Sequence, residues 1–223
     1  MKNIDSIMLE LDQYVASCGN GSYLPNNIEY ENSEETLKPL PMFGCQQVRA
    51  ELKEFGQVLL DQPWNGQGVG VEIGLGFYGS THMFWKNFFE KTVTIEFEPA
   101  RVRWFKEHVS QHYGYFPLAQ GSHLIVNHSF TPQAVGKLYN FTDSIDFLFI
   151  DGDHTYQAVM TDWLLYSPLV KRGGIIAFHD SLCKEFGVAR FINDLESGRF
   201  GETPKVELIQ HSKSAGISYY FNP

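Results

Sequence analysis

The chain has 223 residues, and its 17 lysines and arginines against 26 aspartates and glutamates leave a net charge of −9. This length is enough for one sizeable domain with, at most, a small appendage. An acidic chain is a poor match for a phosphate backbone or an anionic membrane surface, so composition argues against nucleic acids and membranes as main partners.

The apolar content and the cysteines narrow the class of protein further. Hydrophobic residues make up 43 % of the chain, which is too much for a disordered polypeptide and enough for a core. Three cysteines cannot all pair within one molecule, which favours a reducing compartment. No apolar run approaches the roughly 18 residues of a membrane span, and the N-terminus does not resemble a signal peptide. We therefore expect a cytoplasmic protein.

The first sixty residues or so predict a helical N-terminal extension. Apolar side chains spaced by three and four residues predict an amphipathic helix over Ile4–Cys18 and a second helix over Gln46–Leu60. The proline- and asparagine-containing stretch Ser22–Gly44 predicts an irregular connection between them. We expect residues 1–61 to form this extension and residues 62–223 to form the main domain. The amphipathic first helix could also serve a homodimer.

From residue 62 onward, short apolar runs alternate with helical stretches, which is typical of a parallel sheet with crossover helices. The predicted strands are Gly68–Ile73, Thr92–Glu96, Leu124–Asn127, Asp146–Ile150 and Gly174–Phe178. The predicted helices are Ser80–Glu90, Pro99–His112, Pro132–Tyr139, Thr155–Val170 and Glu185–Glu196. Two final apolar segments, Lys205–Gln210 and Gly216–Phe221, predict an antiparallel hairpin at one edge. The predicted fold class is therefore α/β, with a doubly wound sheet.

A glycine-rich turn follows the first strand of this sheet. Residues 74–79 contain glycines in the pattern GxGxxG, and a helix is predicted to begin at Ser80. Glycines let the backbone approach a ligand closely, and a helix start offers unpaired N–H groups. The second strand ends in Glu96, about twenty residues further on, where a carboxylate can accept both hydroxyls of a ribose. Together these features predict an adenosine site.

Two kinds of cofactor fit such a site. A dinucleotide carries a pyrophosphate, which Glu72 in the first strand would repel and the bulky Phe77 and Tyr78 would crowd. A sulfonium cofactor with an ammonium group is instead attracted by acids near the turn. The literal GxGxxG pattern still leaves an NAD-dependent oxidoreductase open as an alternative.

Aspartates and histidines follow two neighbouring strands of the predicted sheet. Asp151, Asp153 and His154 come after the fourth strand, and His179 and Asp180 come after the fifth. Because ligands bind beyond the carboxyl ends of parallel strands, both groups should face one crevice. A divalent cation would offset the repulsion between the converging carboxylates. Oxygen ligands suit Mg²⁺, and imidazole also admits Mn²⁺, Fe²⁺ or Zn²⁺. Such a cation lowers the pKa of a substrate hydroxyl, whose proton a nearby histidine can then remove.

Over roughly Gly68–Phe221 the chain resembles the class I S-adenosylmethionine-dependent methyltransferases. Residues 71–76 (Val-Glu-Ile-Gly-Leu-Gly) are similar to the first motif of that family, and Ile95-Glu96 is similar to the second. The resemblance implies a Rossmann-like sheet of seven strands, mostly parallel, with an antiparallel last strand. It also implies cofactor contacts at Glu72, Gly74, Gly76, Ser80, Thr81, Glu96 and Asp151.

The run Asp151-Gly152-Asp153-His154, with His179-Asp180 behind it, resembles one subfamily in particular. This subfamily comprises metal-assisted O-methyltransferases of antibiotic and sugar tailoring and the cephalosporin-biosynthesis type. The resemblance implies Asp151, His179 and Asp180 as ligands of Mg²⁺ or another divalent metal, and His154 as the catalytic base. The predicted reaction moves a methyl group from S-adenosylmethionine to a hydroxyl of a small molecule, such as a sugar or natural product. Because His179 stands where an acid is common, an inactive cofactor-binding module is a further alternative.

Overall fold

Strands and helices alternate along most of the chain. A computed structural model describes residues 2–25, 43–114, 121–201, 203–211 and 214–223. The N-terminal part contains α1 (Ile4–Ala16), β1 (Tyr23–Leu24), β2 (Cys45–Val48) and α2 (Arg49–Leu60). The rest contains β3 (Val69–Ile73), α3 (Ser80–Trp85), β4 (Lys91–Glu96), α4 (Pro99–Tyr113), β5 (Ser122–Val126), α5 (Pro132–Leu138), β6 (Ile145–Ile150), α6 (Tyr156–Tyr166), β7 (Val170–Phe178), α7 (Gly187–Glu196), β8 (Glu207–Ile209) and β9 (Ile217–Phe221).

Seven of the strands form one sheet in the order β5-β4-β3-β6-β7-β9-β8. The strands from β3 to β7 pair in parallel, and β9 is antiparallel to both β7 and β8. From β3 the chain first builds outward through β4 and β5, and then returns to place β6 on the other side of β3. Ligands bind at such a switch point in open α/β sheets. The predicted α/β class, the seven strands and the antiparallel last strand are confirmed.

Helices cover both faces of the sheet. On β7, Ile176 and Phe178 pack in one core cluster with residues of α6 and α7. Ile175 and Ala177 point to the opposite face and pack in a second cluster with residues of α1 and α2. The two N-terminal helices therefore share a core with the central strands. The division of the chain at residue 61 remains a prediction.

Four predicted elements are wrong at their ends. Residues 46–48, expected to open a helix, belong to β2, which pairs in parallel with β1. The helix expected to reach Val170 ends at Tyr166, because Pro168 has no N–H with which to continue the hydrogen bonds of the helix. A 3-10 turn follows, and β7 starts at Val170, four residues earlier than expected. Helix α3 ends at Trp85, where the Asn87 side chain binds two carbonyl groups of the last turn.

Other expectations concern the cysteines, the membrane and the connection after α1. The three cysteines are free and buried. Within the described ranges, every helix is too short or too polar to cross a lipid bilayer. Most of the predicted irregular stretch Ser22–Gly44 lies outside the described residues.

Candidate active site

A cavity of about 620 Å³ opens at the carboxyl ends of the central strands. Its size is within the range of small-molecule sites. Its wall includes the glycine turn after β3, the acidic end of β4 and the Asp/His residues after β6 and β7, namely Gly74, Gly76, Glu96, Asp151, His154, His179 and Asp180. The structure therefore brings most of the predicted site residues to one crevice, as the order of parallel strands requires.

The glycine turn is held against the end of β6 and against the N-terminal segment. Gly74 has a φ of +95°, and a Cβ atom on it would lie 2.1 Å from the carbonyl oxygen of Asp151. Gly76 has a φ of +65°, and a Cβ atom on it would lie 2.8 Å from Oε1 of Gln46. Glycine suits the backbone conformation at both positions, and at Gly74 the neighbouring backbone also leaves no room for a Cβ atom. The backbone of the turn is thus open to a ligand and in contact with the Asp/His end of the site.

Glu96 presents a fixed carboxylate beside this turn. Its Oε2 accepts a hydrogen bond from the backbone N–H of Leu75 at 3.0 Å, and its Oε1 accepts one from the N–H of Glu98 at 2.9 Å. Nη1 of Arg101 lies 3.7 Å from Oε2. These contacts leave lone pairs on a carboxylate that lines the cavity, where hydroxyl groups of a ligand can donate to it.

Glu72, one strand away, lies inside the protein. Its side chain accepts hydrogen bonds from the indole N–H of Trp85 at 2.9 Å and from the hydroxyl of Thr94 at 2.6 Å. Burial raises the pKa of Glu72 to about 7, although these hydrogen bonds and one with Thr81 oppose the shift. Glu72 is absent from the described residues that line the main cavity. Its visible role is to join β3 to α3 and β4, and the predicted cofactor contact stays a prediction.

Ser80 and Thr81 begin α3 beside a smaller cavity that adjoins the main one. Both residues line this smaller cavity together with Gly76 and Asp151. The hydroxyl of Ser80 donates to the carbonyl oxygen of Gly44 at 2.5 Å, which ties α3 to the N-terminal segment. The predicted contact of Ser80 and Thr81 with a cofactor carboxylate stays a prediction.

Four ionisable side chains converge at the ends of β6 and β7. Nε2 of His154 lies 3.2 Å from Oδ2 of Asp180 and 3.6 Å from Oδ1 of Asp151. Nδ1 of His179 lies 3.3 Å from each of the same two oxygens. Asp180 has a φ of +55°, a conformation that non-glycine residues rarely adopt and that is enriched at functional sites. Each imidazole therefore bridges the two carboxylates.

The carboxylates and the imidazoles of this group stabilise each other's charged forms. Burial alone would raise the pKa of Asp151, but the imidazoles of His179 and His154 outweigh it and hold the pKa at about 2. Burial opposes the charged form of both histidines, but the neighbouring carboxylates raise the pKa of His154 and raise that of His179 well above its usual value. The two negative charges are thus stabilised by positive charge close by, which protonated imidazoles or a bound cation can supply.

A divalent cation fits this donor set. Asp151, His154 and Asp180 each offer one ligand atom, and these atoms lie within 4.8 Å of one another. Carboxylate oxygen with imidazole nitrogen is a combination that Mg²⁺, Mn²⁺, Fe²⁺ and Zn²⁺ tolerate to different degrees. The predicted base, His154, belongs to this group, and the predicted ligand His179 directs Nδ1 at the same carboxylates. The geometry thus accepts a cation and leaves open which imidazole binds it.

Two neighbouring residues of β2 also reach the site, and the sequence analysis missed both. Gln47 donates from Nε2 to Oδ2 of Asp151 at 2.8 Å. Gln46 accepts a hydrogen bond from the N–H of Phe77 through Oε1 at 3.3 Å. No motif marks these glutamines, and they stand in a segment that was expected to be helical. Their polar side chains become informative only once β2 is known to lie beside the glycine turn.

Comparison with known proteins finds a similarity to one family. Residues 71–181 match a family model described as a methyltransferase domain. The chain is 30 % identical over 138 residues to an uncharacterised protein of Acanthamoeba polyphaga mimivirus, and this match covers 58 % of the chain and 62 % of that protein. The matched region thus spans less than two thirds of the length of this relative.

Solved structures share the fold across nearly the whole chain. The O-methyltransferase NovP has a TM-score of 0.61 at 14 % identity, covering 98 % of this chain and 97 % of its own. An O-methyltransferase from Bacillus cereus, solved in complex with SAH, has a TM-score of 0.55 at 17 % identity, covering 100 % of this chain and 92 % of its own. The matched segment 71–181 contains the glycine turn, Glu96 and the whole Asp/His group. This segment is therefore similar to the methyltransferase-domain family, and the chain has the same fold as these solved O-methyltransferases, as the sequence predicted.

Proposed function

We propose that this protein transfers a methyl group from S-adenosylmethionine to a hydroxyl oxygen of a small molecule, such as a sugar or other natural product, with the help of a divalent metal. The observation that carries the proposal is that the group Asp151, His154 and Asp180 shares one cavity with Glu96 and the glycine turn. An acid suited to a ribose and a group suited to removing a hydroxyl proton therefore face the same space.

The cofactor end of the cavity is assigned to four residues. Gly74 and Gly76 allow close approach of the backbone, and Glu96 accepts the ribose hydroxyls. Asp151 borders both the main cavity and the smaller one beside α3, so its negative charge faces a sulfonium bound between them. Ser80 and Thr81 are assigned to the methionine carboxylate on the strength of the resemblance alone, and the main role assigned to Glu72 is to join β3 to α3 and β4.

The metal is assigned to Asp151, Asp180 and an imidazole of the same group. When bound, S-adenosylmethionine would supply the methyl group, and the cation would lower the pKa of the acceptor hydroxyl. Mg²⁺ is the first candidate for this cation, and Mn²⁺, Fe²⁺ and Zn²⁺ are the others. Asp151 and Asp180 contribute carboxylate oxygens to this site, and His179 contributes Nδ1.

His154 is assigned the role of the base that removes the proton from the hydroxyl group of the methyl acceptor. Its side chain is 33 % exposed and lines the cavity, so an acceptor can reach it. When Nε2 takes the proton, the carboxylates of Asp180 and Asp151 stabilise the resulting imidazolium. The ring of Phe186, whose centroid lies 4.4 Å from that of the imidazole, limits the rotation of His154.

The two alternatives make different predictions for ligand binding. An NAD-dependent oxidoreductase would bind NADH and would leave the Asp/His group without a role. A binding module would take up SAH, the demethylated product of S-adenosylmethionine, without turnover. Isothermal titration of the full chain with SAH and with NADH distinguishes the proposed methyltransferase from an NAD-dependent oxidoreductase. We expect SAH to bind and NADH not to bind; the reverse result would contradict the proposal.

Turnover is tested with isotopically labelled S-adenosylmethionine and a panel of hydroxylated small molecules, with Mg²⁺ or with a chelator. We expect methyl transfer that falls on chelation and returns with Mg²⁺. His154→Ala should lose turnover and keep SAH affinity, and His112→Ala, which changes an exposed histidine of α4, serves as the matched control. Unchanged turnover in both His154→Ala and Asp151→Ala would refute the assigned chemistry, and SAH binding with no turnover on any acceptor would favour the binding module.

A further inference from the structure

The ring of His179 lies on the face of the sheet that the N-terminal helices cover. Alternate residues of a strand point to opposite faces, and Ile175 and Ala177 pack in the core that α1 and α2 share. His179 follows Ala177 by two residues, and its ring centroid lies 6.5 Å from that of Phe149 in the same core. One edge of the imidazole meets the carboxylates of the cavity, and Nε2 on the other edge is buried in the protein.

Helix α2 brings a buried carboxyl group into this region. Glu51, in the first turn of α2, is completely buried. Its Oε1 accepts hydrogen bonds from the hydroxyl of Ser214 and from the backbone N–H of His211, the latter at 3.3 Å. Burial raises the pKa of Glu51, while Ser214 and then the charge of His179 lower it. The segment after Ser214 also contacts the residues that follow His179, because the N–H groups of Ser181 and Leu182 donate to the carbonyl oxygens of Gly216 and Ala215.

Three buried polar atoms in this neighbourhood have no hydrogen-bond partner among the described residues. They are Oε2 of Glu51, Nε2 of His179 and Oε1 of Gln47, whose own Nε2 is bound to Asp151. Unpartnered buried polar atoms are rare in folded proteins. One nitrogen and two oxygen atoms form a complementary set, because the nitrogen can donate and the oxygens can accept.

We propose that Glu51 is a positioning residue for His179. His179 Nε2–H donates to one bridging water molecule, which in turn donates to Oε2 of Glu51 and to Oε1 of Gln47. Nε2 therefore keeps its hydrogen, and Nδ1 is the nitrogen presented to Asp151 and Asp180. Histidines that bind metals usually donate their other N–H to an oxygen acceptor, which fixes the orientation of the ring. The inference rests on the proposed function, because it concerns the same cation site, and it gives the N-terminal segment a part in that site.

The first test compares Glu51→Gln with Glu54→Gln in the full chain. Glutamine keeps the size of Glu51 and an acceptor for Ser214, but it removes the charge. Glu54 lies on the same helix and binds Nε2 of His211 at 2.8 Å on the surface, so its variant is a matched control. The probe is Mn²⁺ alone, measured by electron paramagnetic resonance, with SAH affinity measured in parallel. We expect Glu51→Gln to weaken Mn²⁺ binding about 10-fold to 100-fold with little change in SAH affinity, and Glu54→Gln to change neither.

A second measurement detects the ring proton itself, and it does not depend on the folding of any variant. In the wild-type protein loaded with Mg²⁺, nitrogen NMR should find a slowly exchanging proton on Nε2 of His179 and none on Nδ1. A ring that carries its proton on Nδ1 alone would overturn the proposal, and so would equal Mn²⁺ affinity in the two variants. If the wild-type protein fails to bind SAH, that result contradicts the proposed methyl transfer only. The position of the ring proton on His179 then still tests the role of Glu51.

Discussion

The contact between the glycine turn and the end of β6 leads to a sharp prediction for Gly74→Ala. Two costs arise from this substitution. Alanine is disfavoured at the φ of +95°, by about 1–2 kcal/mol for the left-handed region. Its Cβ would also lie 2.1 Å from the carbonyl oxygen of Asp151, so backbone on one side must move, and such overpacking costs about 1–3 kcal/mol. The expected total loss in the free energy of unfolding is about 2–5 kcal/mol.

Gly66→Ala separates the two costs. Gly66 has a φ of +80°, and a Cβ on it would meet no atom within 4 Å. Its variant should therefore lose only the conformational part, about 1–2 kcal/mol. Urea unfolding of both variants at one pH measures the difference, provided that the dependence on urea concentration is the same in each.

Binding gives the second readout for Gly74→Ala. A displaced turn alters both the backbone near the cofactor and the position of Asp151, so SAH affinity should fall by about tenfold or more, equivalent to about 1.4 kcal/mol. Gly66 lies outside both cavities, so its variant should bind SAH as the wild type does. Equal stability losses in the two variants, together with unchanged SAH binding, would refute the close-contact argument.

Two further predictions concern buried carboxyl groups. Glu96→Gln should weaken SAH binding by about 1.5–3 kcal/mol, the range for hydrogen bonds to charged groups. Glu72→Gln should mainly lower the stability of the fold. Titration of both variants with SAH checks this, and a larger loss of SAH affinity in Glu72→Gln would contradict the assignment of the two acids. Asp162 is buried, and burial raises its pKa from 3.8 to about 7, although Ser129 lowers it. The wild type should therefore lose stability as pH rises from about 4 to about 7, by about 1.4 kcal/mol per unit of pKa shift. Asp162→Asn should reduce that loss, so a pH dependence of urea unfolding identical to that of the wild type would count against the buried acid.

The alternation of strands and helices was predictable because it depends on local patterns. Buried parallel strands require short apolar runs, and the helices between them require periodic apolar faces. The ends of these elements were less predictable. The helix before β7 ends at Tyr166 because a proline and a 3-10 turn follow, and the sequence analysis extended the apolar periodicity past them.

The candidate site was predictable where it follows from strand order. Once the segments before Asp151 and His179 are identified as neighbouring parallel strands, geometry requires their ends to meet. The positions of the glycine turn and of Glu96 follow from the same reasoning, since they also lie at carboxyl ends of strands. The sequence did not predict that Glu72 binds Trp85 inside the protein while Glu96 binds the glycine turn beside the cavity. These environments depend on which elements pack against each strand.

The amino-acid sequence by itself therefore determined the fold class, the glycine turn and the convergence of two aspartates and two histidines. The contact of Gln47 with Asp151 and that of Glu51 with Ser214 depend on tertiary structure. These residues are more than 100 positions apart from their partners in the chain, and no local pattern encodes their contacts. Packing of the N-terminal helices on the central strands brings them together, because burying the shared apolar core leaves those polar side chains at the edge of the site.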